Sequence, residues 1–299
     1  MSLPKLEGTY DTGTTLQLHH WPPPALTEDK WFSYKGAPRM DKIANRYSRS
    51  IAERVTLPPS SSSDGVSITL ENRLNCSTCR ISHVWTARVQ DTSLKSTYPP
   101  LVVVKIYDPT FLEDGEAYYA DPFAMRNSFV SHEVEAYHRL KCLQGTALPH
   151  FYGHFLASLP HQHNRTINAI LMEYVEGIDF RLLVPRESAE FVCSAHKEAV
   201  IDAALHLYFD LYALGVEHMD MQPRNVILRP ASPMQYCTTL ECPLRLKADC
   251  KDLNMVMVDF EVVELREPDP SLNEPSTRRE DIEYLKVTYL KKWLEGTMP

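Results

Sequence analysis

The chain has 299 residues, 43% of them hydrophobic and 23% charged, which is typical of a globular protein with an ample core. Its formal net charge of −8 argues against nucleic acid or an anionic membrane surface as a partner. Seven cysteines without a framework spacing, the lack of a signal-peptide pattern after Met1 and the lack of a membrane-length apolar run predict an intracellular protein, cytoplasmic or nuclear.

Residues 1–65 are predicted to form an irregular N-terminal extension, because a proline run follows Trp21 and a serine run ends near Gly65. Segments typical of β-strands begin directly after this extension. The strongest is the apolar run Leu101–Tyr107, whose β-branched residues suit a buried strand. Further strands are predicted at 66–70, 84–89, 151–155 and 169–175, and a helix at 124–143.

After Gly177 the apolar residues change from the spacing of strands to that of a helix, which is predicted to end at Gly215. Two short strands are predicted next, and the segment 229–253 between them, with its prolines and cysteines, is predicted to be an inserted loop. A last helix is predicted at 279–294. A strand-rich part followed by a helical part predicts an α+β protein with two lobes.

Polar residues are concentrated in His218-Met-Asp220-Met-Gln-Pro-Arg-Asn225, between an apolar helix and a β-prone triplet. Such a position is more typical of function than of packing. Asp220 could orient an attacking hydroxyl, and the carbonyl oxygen of Asn225 suits Mg²⁺. Asp259 ends an apolar strand, where a carboxylate either binds a cation or caps a turn. Arg224 either offsets negative charge in the loop or is exposed without a role.

Lys105 interrupts the most apolar strand of the sequence. A lysine inside a buried strand needs a counter-charge or an anionic ligand, and Glu133 and Glu135 on the next helix are the candidates. The alternative is a lysine at an edge that extends its ammonium group to water.

In chain order, these residues resemble the motifs of the protein-kinase-like superfamily, including its small-molecule kinases of the aminoglycoside phosphotransferase type. Val-Val-Lys105 resembles the family's Val-Ala-Ile-Lys strand, and the loop from His218 through Asp220 to Asn225 resembles H-R-D-x-x-x-x-N. Asp259-Phe-Glu resembles D-F-G.

The helix after the lysine strand resembles the family helix in which a glutamate precedes a leucine by seven positions. Glu133 and Leu140 have this spacing, so the resemblance favours Glu133 over Glu135 as the partner of Lys105. The implied fold is α+β and two-lobed, with a β-rich N-lobe and a shortened helical C-lobe. The implied domains are the extension at 1–65, an N-lobe at 66–176 and a C-lobe at 177–299 that contains the insertion 229–253.

The resemblance implies an ATP- and Mg²⁺-dependent phosphotransferase whose hydroxyl acceptor, a protein or a small molecule, is not identified. Lys105, held by Glu133, would bind the phosphates. Asn225 and Asp259 would hold Mg²⁺, and Asp220 would orient the acceptor. Met172 resembles the residue that borders the adenine. The residues expected at the nucleotide are Lys105, Glu133, Met172, Glu173, Val175, Ser77 and Cys79.

The sequence also departs from the family pattern. Ser77 and Cys79 stand where the family has glycines, and Glu261 stands at the third D-F-G position. Met219 replaces the arginine of H-R-D, and only forty residues follow Asp259, without a peptide-binding motif. These departures favour a small-molecule or atypical kinase. They leave open a catalytically weak or inactive pseudokinase that acts as a nucleotide-binding or protein-interaction scaffold.

Overall fold

The computed structural model describes residues 9–27, 34, 39, 42–58, 65–75, 81–90, 98–183, 194–229, 254–273 and 282–285. The fold is a mixed α/β structure with a β-rich region. The chain divides into two compact units, Met1–Val134 with His150–Tyr174 and Glu135–Pro149 with Val175–Pro299. Within the described ranges, no helix combines the length and apolar character needed to cross a bilayer.

Six antiparallel strands of the first unit form a closed barrel. They are β1 (Thr15–His20), β2 (Gly65–Arg73), β3 (Ser82–Val89), β4 (Leu101–Tyr107), β5 (Phe151–Leu159) and β6 (Arg165–Glu173). Their order is β1-β2-β3-β4-β6-β5, and β1 closes the barrel by pairing with both β2 and β5. Closure leaves none of these strands with an open edge. The predicted strands of this part are confirmed, and several are longer than predicted.

The alternation of side chains along each strand decides what fills the barrel. On β4, Val102, Val104 and Ile106 belong to the apolar core of the barrel, whereas Lys105 and Tyr107 occupy the alternate positions on the outer face. The outer face of β4 is buried as well. One side of this strand therefore packs in the barrel core, and the other side is buried outside the barrel.

Three helices begin in the first unit: α1 (Ile43–Ala52), α2 (Asp114–Tyr119) and α3 (Pro122–Arg139). The prediction of an irregular segment over 1–65 is wrong where β1 and α1 form. The hydropathy of α1 did not indicate a packed helix because its buried face carries Arg46 and Ser50. The Arg46 guanidinium donates to the backbone oxygen of Leu112 at 2.7 Å and to Asp114 at 2.8 Å.

The second unit contains one long helix and five short strands among its described residues. They are β7 (Ile178–Asp179), α4 (Ser194–Ala213), β8 (Val216–His218), β9 (Val226–Arg229), β10 (Asn254–Met257) and β11 (Val263–Leu265). The strands form two sheets, ordered β10-β9-β7 and β11-β8. Gly215 ends α4 with a φ of 82°, as its sequence predicts.

Residues 135–149 group with the second unit, although the sequence prediction placed them in the N-lobe. Hydrogen bonds hold them there: Met257 N–H donates to Ala147 O at 2.9 Å, and the Arg229 guanidinium donates to Gly145 O at 3.0 Å. Of the predicted insertion, only Arg229 is described. Of the predicted last helix, residues 282–285 are described, and they are helical.

Candidate functional site

Lys105 and Glu133 form a buried ion pair in the first unit. Lys105 Nζ lies 2.9 Å from Glu133 Oε2, and the two side chains are 3% and 0% exposed. The hydroxyl of Tyr107 donates to the same glutamate oxygen, and its ring centroid lies 5.4 Å from Lys105 Nζ. Because Lys105 and Tyr107 are two residues apart on the outer face of β4, both reach the same carboxylate.

Lys105 pairs with Glu133, one of the two candidate partners. Glu135 instead pairs with Arg139 four residues further along α3, at 2.9 Å. Two residues on a helix differ by roughly 200° in direction, so the two glutamates cannot face the same strand. The alternative of a lysine that extends to water is wrong, because its side chain is almost fully buried.

The residues expected at the adenine lie at the end of β6 and just after it. Met172 is buried and pairs with Val103 of β4. Glu173 N–H donates to His150 O at 2.9 Å, and the Glu173 carboxylate accepts from His150 N–H at 3.0 Å. The backbone donor of Glu173 is therefore already bonded within the barrel. Val175 belongs to the second unit and is buried.

Two of the expected nucleotide residues, Ser77 and Cys79, lie outside the described residues, between β2 and β3. Tyr107, whose hydroxyl contacts Glu133, is a residue of the candidate site that the sequence interpretation missed. Its signal was its spacing, because a residue two positions from Lys105 in a strand lies on the same face.

In the second unit, two loops are tied together at both ends by antiparallel strands. At one end β9 pairs with β10, and Val258 N–H donates to Asn225 O at 2.9 Å. At the other end β8 pairs with β11, and Met219 N–H donates to Val262 O at 3.1 Å. The loop after β8 and the loop after β10 therefore face each other within one unit.

The Asp220 carboxylate is held by two donors from its own loop. Its Oδ2 accepts from Arg224 at 2.7 Å and from Asn225 Nδ2 at 3.0 Å. Asn225 Nδ2 also donates to the backbone oxygen of Asp220 at 2.9 Å, and the asparagine side chain is buried. Because the amide nitrogen of Asn225 faces Asp220, its carbonyl oxygen is directed away and suits a cation. Arg224 thus has the charge-offsetting position rather than that of a free surface arginine.

Asp259 begins the facing loop in a left-handed conformation, with a φ of 70°. Non-glycine residues rarely adopt this conformation, and they do so mainly where the surroundings compensate for the strain. The preceding residue, Val258, is held on both sides, because its N–H is bonded to Asn225 and its carbonyl oxygen lies 3.1 Å from His218 Nε2. A carboxylate oxygen of Asp259 lies within 4.8 Å of one of Glu261.

Phe260 fixes the loop after β10 to the hydrophobic core of the second unit. Its side chain is fully buried, and its ring packs against His218 at 5.2 Å and Tyr137 at 5.4 Å between centroids. Asp259 and Glu261, on either side of Phe260, are both half-buried. The donor set of Asn225 and Asp259, an amide oxygen and a carboxylate, fits a hard cation such as Mg²⁺.

No protein-family model matches this chain, and no curated protein matches it. Among solved structures, the chain is similar to WaaP in complex with acyl carrier protein, with 15% identity and a TM-score of 0.40 over 68% of this chain and 66% of that one. It is also similar to two mutant structures of the PknI kinase domain of Mycobacterium tuberculosis. Identities are 18% and 16% and TM-scores 0.39 and 0.38, over 65% of this chain and 60% of those. The similarity thus spans less than two thirds of each of these solved chains, and they include a kinase domain.

Proposed function

We propose that this chain is a two-lobed, protein-kinase-like phosphotransferase that uses ATP and Mg²⁺ and phosphorylates a hydroxyl acceptor, either a protein or a small molecule. The observation that carries the proposal is the ion pair of Lys105 with Glu133. A buried lysine whose ammonium group is held by a carboxylate on a helix is a preorganised cation for a phosphate group.

Each remaining residue of the site has a role that its chemistry supports. Asn225 and Asp259 would hold Mg²⁺, which when bound neutralises charge on the phosphates of ATP. Asp220, kept in place by Arg224, would orient the acceptor hydroxyl and take its proton. Positioning and charge neutralisation supply most of the acceleration in reactions of this class.

Further nucleotide contacts are proposed for the N-lobe. Met172 would border the adenine, with backbone groups near Glu173 and Val175, and Ser77 and Cys79 would lie over the phosphates. Since the Glu173 N–H is bonded to His150, the adenine would have to use other backbone groups of this segment.

The first experiment is a calorimetric titration of the protein with ATP, once in the presence of Mg²⁺ and once in the presence of a chelator. The second is an assay with labelled ATP that follows hydrolysis of the γ-phosphate and its transfer to the protein itself. We expect Mg²⁺-dependent binding and slow phosphate release. ATP affinity that is the same with and without Mg²⁺ would contradict the proposed site.

A second candidate is a pseudokinase that binds nucleotide or a protein partner without turnover. One observation favours it: Asp220 Oδ2 already accepts hydrogen bonds from both Arg224 and Asn225, which compete for the lone pairs that an acceptor proton needs. The same titration distinguishes the two, because binding of Mg²⁺–ATP without any phosphate release would support the scaffold.

A further inference from the structure

Three consecutive prolines follow β1 in the first unit, and they belong to no helix or strand. The end of β1 fixes where this run begins. Trp21 N–H donates to His154 O at 3.1 Å, which extends the pairing of β1 with β5 by one residue. The His154 ring donates from Nδ1 to Trp21 O at 2.9 Å. Because Pro22 has no N–H group, the pairing stops after Trp21.

The end of strand pairing accounts for only the first of these prolines. Prolines also protect open sheet edges against pairing with other chains. β1 has no open edge to protect, because it pairs with β2 on one side and with β5 on the other. Pro23 and Pro24 therefore have no role in the sheet.

The segment 21–27 has the features of a polyproline II helix. Proline fixes its own φ near −65° and restricts the residue before it to extended conformations, and Trp21, Pro22 and Pro23 each precede a proline. A polyproline II helix has three residues per turn, and burial follows this period. The half-buried residues are Trp21, Pro24 and Thr27. The exposed residues are Pro22, Pro23, Ala25 and Leu26.

The exposed residues form two adjacent apolar ridges along this segment. Pro22 and Ala25 are one turn apart on the first ridge, and Pro23 and Leu26 are one turn apart on the second. Leu26 is 52% exposed. Grooves that bind polyproline II segments pack aromatic side chains against such ridges, and a segment whose conformation is already restricted loses little entropy on binding.

We propose that the segment 21–27 is a docking segment for a partner protein whose groove is lined by aromatic side chains. These side chains would pack on the rings of Pro22 and Pro23, and Leu26 would enter an apolar pocket beside them. The proposal is independent of the proposed phosphotransfer, because it uses none of the residues assigned to ATP or Mg²⁺.

The sequence around the segment narrows the type of groove. Residues 15–29 contain no lysine or arginine, so a groove with acidic side chains has no basic residue to bind. The P-x-x-P spacing is also lacking, because Ala25 and Leu26 stand three positions after Pro22 and Pro23. These features fit the aromatic grooves of WW and EVH1 domains better than those of SH3 domains.

The test is a titration of an isolated, nitrogen-15-labelled WW domain, and separately of an EVH1 domain, with the full unlabelled chain. Two-dimensional NMR of the labelled domain is the readout. We expect saturable shifts confined to the aromatic groove of at least one domain, and the domain with the lower Kd identifies the type of partner. Pro23→Ala and Leu26→Ala are each expected to raise Kd by about fivefold or more, since each removes part of one ridge.

Pro268→Ala is the matched control, because Pro268 is an exposed proline of the second unit. It is expected to leave Kd unchanged. Pro23 and Leu26 are exposed, so all three variants should keep the wild-type Tm. Lack of saturation with both domains up to roughly 1 mM, or equal Kd values for Pro23→Ala, Leu26→Ala and Pro268→Ala, would overturn the proposal.

Discussion

Lys105 Nζ and Glu133 Oε2 are 2.9 Å apart, and both side chains are almost fully excluded from solvent. Removing two such charges from water costs about as much free energy as their attraction returns, so the pair contributes little net stability. Loss of one partner strongly lowers the free energy of unfolding, because it leaves the other charge buried and uncompensated. This asymmetry allows stability and ligand binding to be tested separately.

Glu133→Gln is expected to lower the free energy of unfolding by about 3–5 kcal/mol, because the ammonium group of Lys105 loses its counter-charge. The double variant Lys105→Met with Glu133→Leu removes both charges and should regain most of that loss. Urea unfolding measures both effects. The double variant should nevertheless bind Mg²⁺–ATP much more weakly than the wild type. A stable double variant with wild-type ATP affinity would show that Lys105 does not bind phosphate.

Asp259→Asn is expected to abolish the Mg²⁺ dependence of ATP binding, because the substitution removes the only full negative charge of the proposed donor pair. A thermal-shift titration with ATP, in Mg²⁺ and in a chelator, measures it, since a ligand of the folded state raises Tm. Glu267→Gln, at an exposed carboxylate nearby in sequence, is the control and should keep the wild-type response. An unchanged Mg²⁺ effect in Asp259→Asn would remove this residue from the proposed site.

Asp220→Asn should separate binding from transfer. The amide keeps the size of the side chain but cannot take a proton, so the rate of phosphate release is expected to fall by about 10²–10⁴-fold. The Kd for Mg²⁺–ATP should change little, because Asp220 is assigned to the acceptor. Single-turnover release of labelled phosphate and calorimetry measure the two quantities. An equal loss of both would instead assign Asp220 to nucleotide binding.

Asp108 and Arg165 form a second buried ion pair, 2.7 Å apart, at one end of the barrel. Burial alone would raise the pKa of Asp108, but the Arg165 guanidinium and the hydrogen bonds from Thr110 and Tyr10 together outweigh it and lower this pKa to about 2. Because the folded pKa lies below the unfolded value of about 3.9, the pair stabilises the fold fully above about pH 4. That contribution, about 2 kcal/mol, is lost as the pH falls towards 2.

Urea unfolding at pH 7 and at about pH 3 should therefore show an acid loss of stability in the wild type that Asp108→Asn largely lacks. The variant is also expected to be less stable at pH 7, since Arg165 remains buried without its carboxylate. Asp11→Asn, at an exposed carboxylate, should retain the acid loss of the wild type. If the stability of Asp108→Asn fell by the same amount between pH 7 and pH 3, the wild-type loss would come from other titratable groups.

Gly215→Ala is expected to destabilise the second unit by roughly 1–3 kcal/mol. Gly215 has a φ of 82°, and a Cβ atom there would lie 2.5 Å from the backbone oxygen of Arg266. Gly115→Ala is the control, because this α2 position has no atom within 4 Å of the added Cβ. It should be neutral or slightly stabilising. Chemical unfolding of the two variants side by side measures the difference, and equal stabilities would contradict the role of Gly215.

Local patterns in the sequence were sufficient for several parts of the fold and site. The β-branched run of β4, the helical spacing of α4 and the stop at Gly215 are properties of neighbouring residues, and the structure has each of them. The polar residues of the loop after β8 were identified in the same way. Such patterns are determined by the 2.0- and 3.6-residue periods of strands and helices, which need no knowledge of distant partners.

Tertiary structure decided what depends on residues far apart in the sequence. Barrel closure requires β1 to pair with β5, which is about 140 residues away in the sequence. The six residues of β1, which end in two histidines, do not indicate this partner. The buried Arg46 of α1 donates to the distant Leu112, a contact that the hydropathy of this helix does not reveal. The contact of Tyr107 with Glu133 and the left-handed φ of Asp259 likewise arise from packing. Charge and strain in a buried site are tolerated only when distant partners compensate for them, and a linear sequence does not display those partners.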